Sequence, residues 1–172
     1  GKIMESLVMI RFSHYVEDRQ LIPKYQTGFR KKQSTSINLR RVFTAVYGRS
    51  ARGAIPTPTL AVFFDAHKAF DSVYHNGLIN KMYQDNIPLP IIRFFYNWLN
   101  NRTATAKINS HLSRHVPLHS GVPQGSVLSP LLWIYYLGDC PCLQDPHVEI
   151  VLFAIWVTHP NQVKNIALFQ KA

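Results

Sequence analysis

A chain of 172 residues, 47% apolar and 12% aromatic, is long enough to bury a core and too apolar to be disordered throughout. Its formal charge of +10, from 19 Lys and Arg against 9 Asp and Glu, favours a polyanionic partner over an acidic one. No apolar run reaches the roughly 18 to 20 residues that cross a bilayer, and two Cys either side of Pro141 exclude a disulfide framework and read as reduced, intracellular thiols.

Ile3, Met4, Leu7, Val8, Ile10, Phe12 and Tyr15 recur at roughly helical spacing, so residues 3–20 read as a helix ended near Leu21-Ile22-Pro23. Tyr25 to Gln33 is a basic loop. Ser34 or Thr35 is placed to cap a second helix carrying Ile37, Leu39, Val42, Phe43 and Val46. Gly48 to Thr59 is rich in Gly, Pro, Ser and Arg and reads as a loop. Leu60-Ala61-Val62-Phe63-Phe64 is a short continuous apolar run, which suits a strand buried on both faces, and it ends on Asp65.

A helix through Leu78, Ile79 and Met82 follows, stopped by Asn86-Ile87-Pro88. Pro90 then opens another with Ile91, Ile92, Phe94, Phe95, Trp98 and Leu99 inward. Those aromatics read as helical core rather than as a base-stacking platform. Thr103–Asn109 and Arg114–Leu118 are expected to pair across Ser110-His111. Ser129-Pro130 suits the cap and first turn of a helix through Tyr136. Val148–Ala154 reads as a last strand and Gln162–Gln170 as a last short helix. Helices interleaved with a few strands, without an internal repeat, give an α/β or α+β class.

Two stretches carry chemistry. An acid at the end of a buried strand, as in Phe63-Phe64-Asp65-Ala66-His67-Lys68-Ala69-Phe70-Asp71, is costly unless paired, and a metal ion is one such partner. In Gly121-Val122-Pro123-Gln124-Gly125-Ser126-Val127-Leu128-Ser129-Pro130, two glycines bracket a Pro-Gln pair before a helix, where a backbone can approach a ligand closely. Each alone also fits an ordinary helix cap or turn.

Together they resemble two blocks of reverse transcriptases, of the LINE-type, jockey-like kind found in non-LTR retrotransposons. Tyr25-Gln26-Thr27-Gly28-Phe29-Arg30 with Ser34-Thr35, Trp98-Leu99-Asn100-Asn101-Arg102 and Gly1-Lys2-Ile3-Met4-Glu5 are similar to further blocks, in the family's order. The resemblance implies an α+β fingers-and-palm fold of a right-hand polymerase, with residues 1–59 mainly fingers and 60–172 mainly palm with interleaved fingers elements. It implies an RNA template, a DNA primer and two Mg²⁺, with no obligate protein partner and no membrane. Asp65 would then be a metal ligand, Phe70 would lie under the incoming sugar, Gln124 and Gly125 would line the nucleotide and template pocket, and Arg30 would contact template or triphosphate. Asp71 is expected to be a structural hydrogen-bonder.

The family's third block is an aromatic, an Ala and two Asp, and the matching place here is Phe153-Ala154-Ile155-Trp156. Ile155 and Trp156 offer no ligand to Mg²⁺. Glu149 lies six residues back, roughly 20 Å along a strand, and Asp145 farther still. One carboxylate would remain where three normally clamp two ions about 3.5–4 Å apart. The expectation is a reverse transcriptase fragment without polymerase activity, each lost ~1.4 kcal/mol of transition-state stabilisation being tenfold in rate. Ile134 in place of the family's Asn, a start inside the first block and an end at Ala172, with no room for a thumb, fit a decayed or clipped copy. An error at Ile155 and Trp156 in an intact element is the other explanation.

Two other readings compete. Arg30-Lys31-Lys32, Arg40-Arg41 and Arg49-Ser50-Ala51-Arg52 would serve a noncatalytic nucleic-acid binder, or be solvated charges. Cys140, Cys142, His147 and His159 would form a metal module only at a spacing unlike common zinc sites. His67, His75, His111, His115 and His119 read as surface or hydrogen-bonded residues.

Overall fold

A computed structural model describes residues 1–47, 59–64, 68–100, 102–139, 148–152 and 166–171. The chain divides into two compact units, residues 1–21 with 68–136 and residues 22–67 with 137–172.

The first unit is helical. It contains α1 (Lys2–Asp18), α3 (His75–Gln84), α4 (Leu89–Leu99) and α5 (Ser129–Tyr136), while α2 (Thr35–Tyr47) belongs to the second unit. Phe12 of α1 is fully buried, edge-on to Phe95 of α4 at 5.0 Å and to Tyr135 of α5 at 5.3 Å. Val16, Leu78, Met82, Ile92, Leu99, Leu128, Leu132 and Ile134 complete the core. On α4 the buried residues are Ile92, Phe95 and Leu99, spaced by three and four as one helical stripe demands, while Ile91, Phe94 and Trp98 are only half-buried.

On α1 the expected apolar set holds only in part, with Phe12 buried and Val8 and Tyr15 half-buried. Ile3, Met4, Leu7 and Ile10 are exposed, and the inward stripe runs through Glu5, Met9, Phe12 and Val16. A half-buried polar network joins the C-terminal end of α3 to α5. The Tyr135 hydroxyl donates to Asp85 Oδ2 at 2.6 Å, and Lys81 Nζ lies 3.6 Å from the same oxygen and 5.0 Å from the Tyr135 ring.

Residues 102–118 form a hairpin of two short ladders, with β2 (Thr103–Ala104) on β5 (Val116–Pro117) and β3 (Lys107–Ile108) on β4 (His111–Leu112). The expected hairpin forms, but its turn is Asn109-Ser110 rather than Ser110-His111, so that His111 and Leu112 pair in β4. Two residues separate β2 from β3 while three separate β4 from β5, which is a bulge. Asn109 supplies the positive φ of the two-residue loop.

The second unit holds α2 (Thr35–Tyr47) and a three-stranded antiparallel sheet in the order β1 (Thr59–Phe64), β7 (Ile166–Lys171), β6 (Val148–Leu152). Thr59 pairs with Lys171 and Phe64 with Ile166, while Val148 pairs with Gln170 and Leu152 with Ile166. Val42, Ala45 and Val46 of α2 pack on Val151 of β6.

Two expectations fail here. Residues 166–170, expected as helix, form the central strand, because pairing on both edges outweighs an ambiguous apolar run. Leu60 and Val62, expected inside, are 60% and 37% exposed and share one face of β1. Residues 48–58 of the expected Gly48–Thr59 loop, Asp65, His67, Cys140, Cys142, His147 and Phe153 to His159 lie outside the described residues. Among the described residues no helix is long and apolar enough to cross a membrane.

Candidate functional site

The two chemistry-bearing stretches meet in the first unit through their backbones. Gly121 N–H donates to the Val73 carbonyl and Val122 N–H to the Phe70 carbonyl, both at 2.8 Å. Ser120 forms a bridge with Tyr74 beside them. The His75 ring, buried at the start of α3, lies with Nε2 2.7 Å from the Gly121 carbonyl oxygen. A carbonyl only accepts, so His75 donates through Nε2–H. Arg102 Nη1 approaches the same oxygen at 3.5 Å, and burial holds its guanidinium below the ordinary arginine range.

Close approach explains the first glycine. A Cβ on Gly121 would stand 3.0 Å from Asp71 Cα and 3.2 Å from the Phe70 carbonyl oxygen, and its φ of +86° belongs to glycine. Gly125 differs. It shares the φ of +86°, yet a Cβ there would meet nothing within 4 Å. Ser126 N–H returns to the Pro123 carbonyl at 3.2 Å, so residues 123–126 form a turn with Gly125 at its third position, the one that type II geometry reserves for positive φ. Packing therefore demands Gly121, whereas Gly125 presents open backbone.

Beyond the turn the chain is pinned to α5. Ser129, expected to cap that helix, instead donates its hydroxyl to the Pro123 carbonyl at 2.6 Å and is fully buried. The N–H of Leu128 is taken by Ser126 Oγ at 3.1 Å. The hydroxyl of Ser126 in turn donates to Glu5 Oε2 at 2.7 Å.

The expected site residues fall as follows. Phe70 is 8% exposed and lies against Trp133, ring centroids 6.1 Å apart. Gln124 and Gly125 are exposed, and Gln124 Nε2 reaches Asp71 Oδ1 at 3.5 Å, a long contact. Phe70, Gln124 and Gly125 thus belong to one backbone-stitched assembly. Arg30 lies in the other unit, where its Nη1 donates to the Pro23 and Gln26 carbonyls at 3.0 and 3.2 Å and closes its own loop. Asp65, Ile155 and Trp156 lie outside the described residues. Among the described residues no three of His, Cys, Asp or Glu stand together as a metal site would require.

Sequence reasoning quoted Glu5 and Ser126 only as members of their blocks and read His75 as a surface or hydrogen-bonded residue, without the partner of any of the three. A signal existed for the first, an acid in register with Met9, Phe12 and Val16 on the inward stripe of α1. None existed for His75, whose partner is 46 residues away.

Comparison with known proteins places this assembly in context. Residues 1–156 match the family described as reverse transcriptase (RNA-dependent DNA polymerase). Among curated proteins of Drosophila melanogaster, the chain is 30% identical to the probable RNA-directed DNA polymerase from transposon BS, over 95% of this chain and 18% of that protein. It is 35% identical to the RNA-directed DNA polymerase from mobile element jockey, over 82% of this chain and 15% of the relative. A third relative, the probable RNA-directed DNA polymerase from transposon X-element, is 33% identical over 95% of this chain and 17% of its own length. The chain spans less than a fifth of the length of each of these relatives.

Proposed function

Because this chain belongs to the reverse transcriptase family, we propose that it is part of a retrotransposon's RNA-directed DNA polymerase whose catalytic metal site is broken. Residues 1–59 would supply mainly fingers and residues 60–172 mainly palm, working on an RNA template and a DNA primer. The observation that carries this reading is the stitching of Phe70–Val73 to Gly121–Val122, which leaves Gln124 and Gly125 open to a ligand.

In this assignment Asp65 is the surviving ligand for Mg²⁺. Bound Mg²⁺ would polarise the transferring phosphate and activate the primer's 3′-oxygen. Phe70 lies beneath the sugar, Gln124 and Gly125 face base and template, and Arg30 contacts template or triphosphate. Ile155 and Trp156 stand where two carboxylates belong, so the chain binds the ions too poorly to polymerise. Losing even two ligand contacts worth about 3 kcal/mol each would lower the rate roughly 10⁴-fold.

A second reading, a noncatalytic nucleic-acid binder, is favoured by the exposure of Lys31, Lys32 and Arg40 and by the +10 charge. It needs no metal and is compatible with the first. Its signature is an RNA affinity whose logarithm falls linearly with the logarithm of salt concentration.

The test is Mg²⁺-dependent primer extension on an RNA template, comparing the chain with an Ile155→Asp/Trp156→Asp variant. The expected result is product from the variant alone. Product from the unaltered chain at a comparable rate overturns the broken-site assignment.

A further inference from the structure

A carboxylate on the inward stripe of a helix is expensive unless it is hydrogen-bonded there, so Glu5 of α1 calls for an explanation. Its N-terminal position suits the helix dipole, but an exposed acid in the first turn would serve that purpose equally. What distinguishes Glu5 is its partners. Oε2 accepts the Ser126 hydroxyl at 2.7 Å, across 121 residues of sequence, and Oε1 accepts a longer contact of 3.4 Å from the indole N–H of Trp98. The first is the length expected of a hydroxyl on an ionised acceptor.

Ser126 is spent on the turn. Its N–H closes the bend on Pro123 and its Oγ accepts the Leu128 N–H. That Oγ can accept while its proton goes to Glu5, so the carboxylate fixes the hydroxyl rotor, and the rotor fixes the chain leaving the turn. At the other end His75 holds the Gly121 carbonyl. Between these anchors Gln124 and Gly125 are exposed.

We propose that Glu5 is a positioning residue for the 121–126 loop, fixing through Ser126 the turn that presents Gln124 and the open backbone of Gly125. The inference deepens the reading of that loop as the nucleotide- and template-facing element, and rests on it only for what the loop touches. Glu5 acts through Ser126 and contacts no ligand itself.

The test compares the full chain with Glu5→Leu and Glu5→Gln. Leu keeps bulk and removes both acceptors. Gln restores both contacts with different chemistry, Oε1 accepting from Trp98 and Nε2 donating to Ser126 Oγ. Amide hydrogen exchange should quicken about tenfold or more at Ser126 and Leu128 in Glu5→Leu, the size expected for loss of a hydrogen bond to a charged acceptor. It should stay unchanged at Phe95 and Leu99 inside α4, and Glu5→Gln should return it to near the original rate. One Trp indole resonance should move with it.

An equal quickening throughout α4 and the loop, or none at the loop, overturns the proposal, as does failure of Gln to rescue. Binding of a labelled RNA–DNA hybrid, measured on the same samples, separates the two claims. A loosened loop with weaker hybrid binding supports both. A loosened loop with unchanged binding upholds the tether and removes the loop from the ligand-facing role.

Discussion

Alanine in place of each loop glycine separates a glycine required by packing from one required by conformation. Both positions have φ of +86°, which costs an L-residue about 1–2 kcal/mol. At Gly125 nothing else is added, and the stiffer unfolded chain returns about 0.4–1 kcal/mol, leaving a net loss of about 1 kcal/mol. At Gly121 the new methyl meets Asp71 Cα at 3.0 Å, the Asp71 carbonyl oxygen at 3.1 Å and the Phe70 carbonyl oxygen at 3.2 Å. These are backbone atoms with no rotamer to change.

Relief at Gly121 requires the two strands of backbone to part, and they are held by the 2.8 Å bonds from Gly121 to Val73 and from Val122 to Phe70. Overpacking of this kind adds about 1–3 kcal/mol. Gly121→Ala should therefore cost about 2–4 kcal/mol and Gly125→Ala about 1 kcal/mol. For a chain this size that is a melting-temperature drop of roughly 4–16 °C against roughly 2–4 °C. Thermal melts by circular dichroism measure both. Equal losses at the two sites, or a Gly121→Ala loss under about 1 kcal/mol, would refute the geometry.

Other substitutions probe other parts of the argument. Phe12→Ala should lose about 3–5 kcal/mol, since it empties the space between Phe95 and Tyr135; a urea midpoint unchanged by it would remove Phe12 from the core. Tyr135→Phe should lose about 1–3 kcal/mol by leaving Asp85 with only the longer Lys81 contact, whereas Tyr83→Phe at an exposed site should stay within about 0.5 kcal/mol. Equivalent melts for the two would show that the Asp85 network contributes nothing. Replacing Mg²⁺ with a chelator should leave the melting temperature of the unaltered chain in place. The same exchange should lower that of Ile155→Asp/Trp156→Asp, by the equivalent of about 2.7 kcal/mol when Mg²⁺ stands at 100 times its Kd. A Mg²⁺-dependent rise in the unaltered chain would contradict the loss of the site.

The helices were legible because their ends are punctuated. Pro23 follows α1, Pro88 and Pro90 bracket the start of α4, and Ser34-Thr35 opens α2. Faces were less legible. Apolar residues occur on every side of α1, so Ile3, Leu7 and Ile10 suggested an inward stripe that in fact points outward, while the true stripe contains an acid. The last strand was not legible at all. Ile166-Ala167-Leu168-Phe169 has no period to separate strand from helix, and β1, its partner, stands about a hundred residues earlier. The motifs of the candidate site were visible as residues, but not the way in which Gly121 and Val122 lock onto Val73 and Phe70. Nor could sequence tell that Ser129 serves Pro123 rather than its own helix.

In the proposed reading the chain keeps its scaffold while its metal site is lost, and the geometry of the 121–126 loop accounts for that. Everything that shapes the 121–126 loop, namely Gly121, His75, Ser126, Ser129 and Glu5, is distinct from the positions that carry metal ligands in the family. Two adjacent carboxylates, moreover, oppose folding when no cation lies between them, because like charges at close range each disfavour the other's ionisation. In the proposed reading, Ile155 and Trp156 in their place would relieve that repulsion at the cost of metal binding. A functional site is where a chain departs from what stability alone would choose, so it is also where change is least penalised once function is released. The packed core around Phe12 has no such freedom, since every atom removed from it leaves a cavity. Decay of this kind should therefore begin at the metal site and reach the glycines and buried aromatics last.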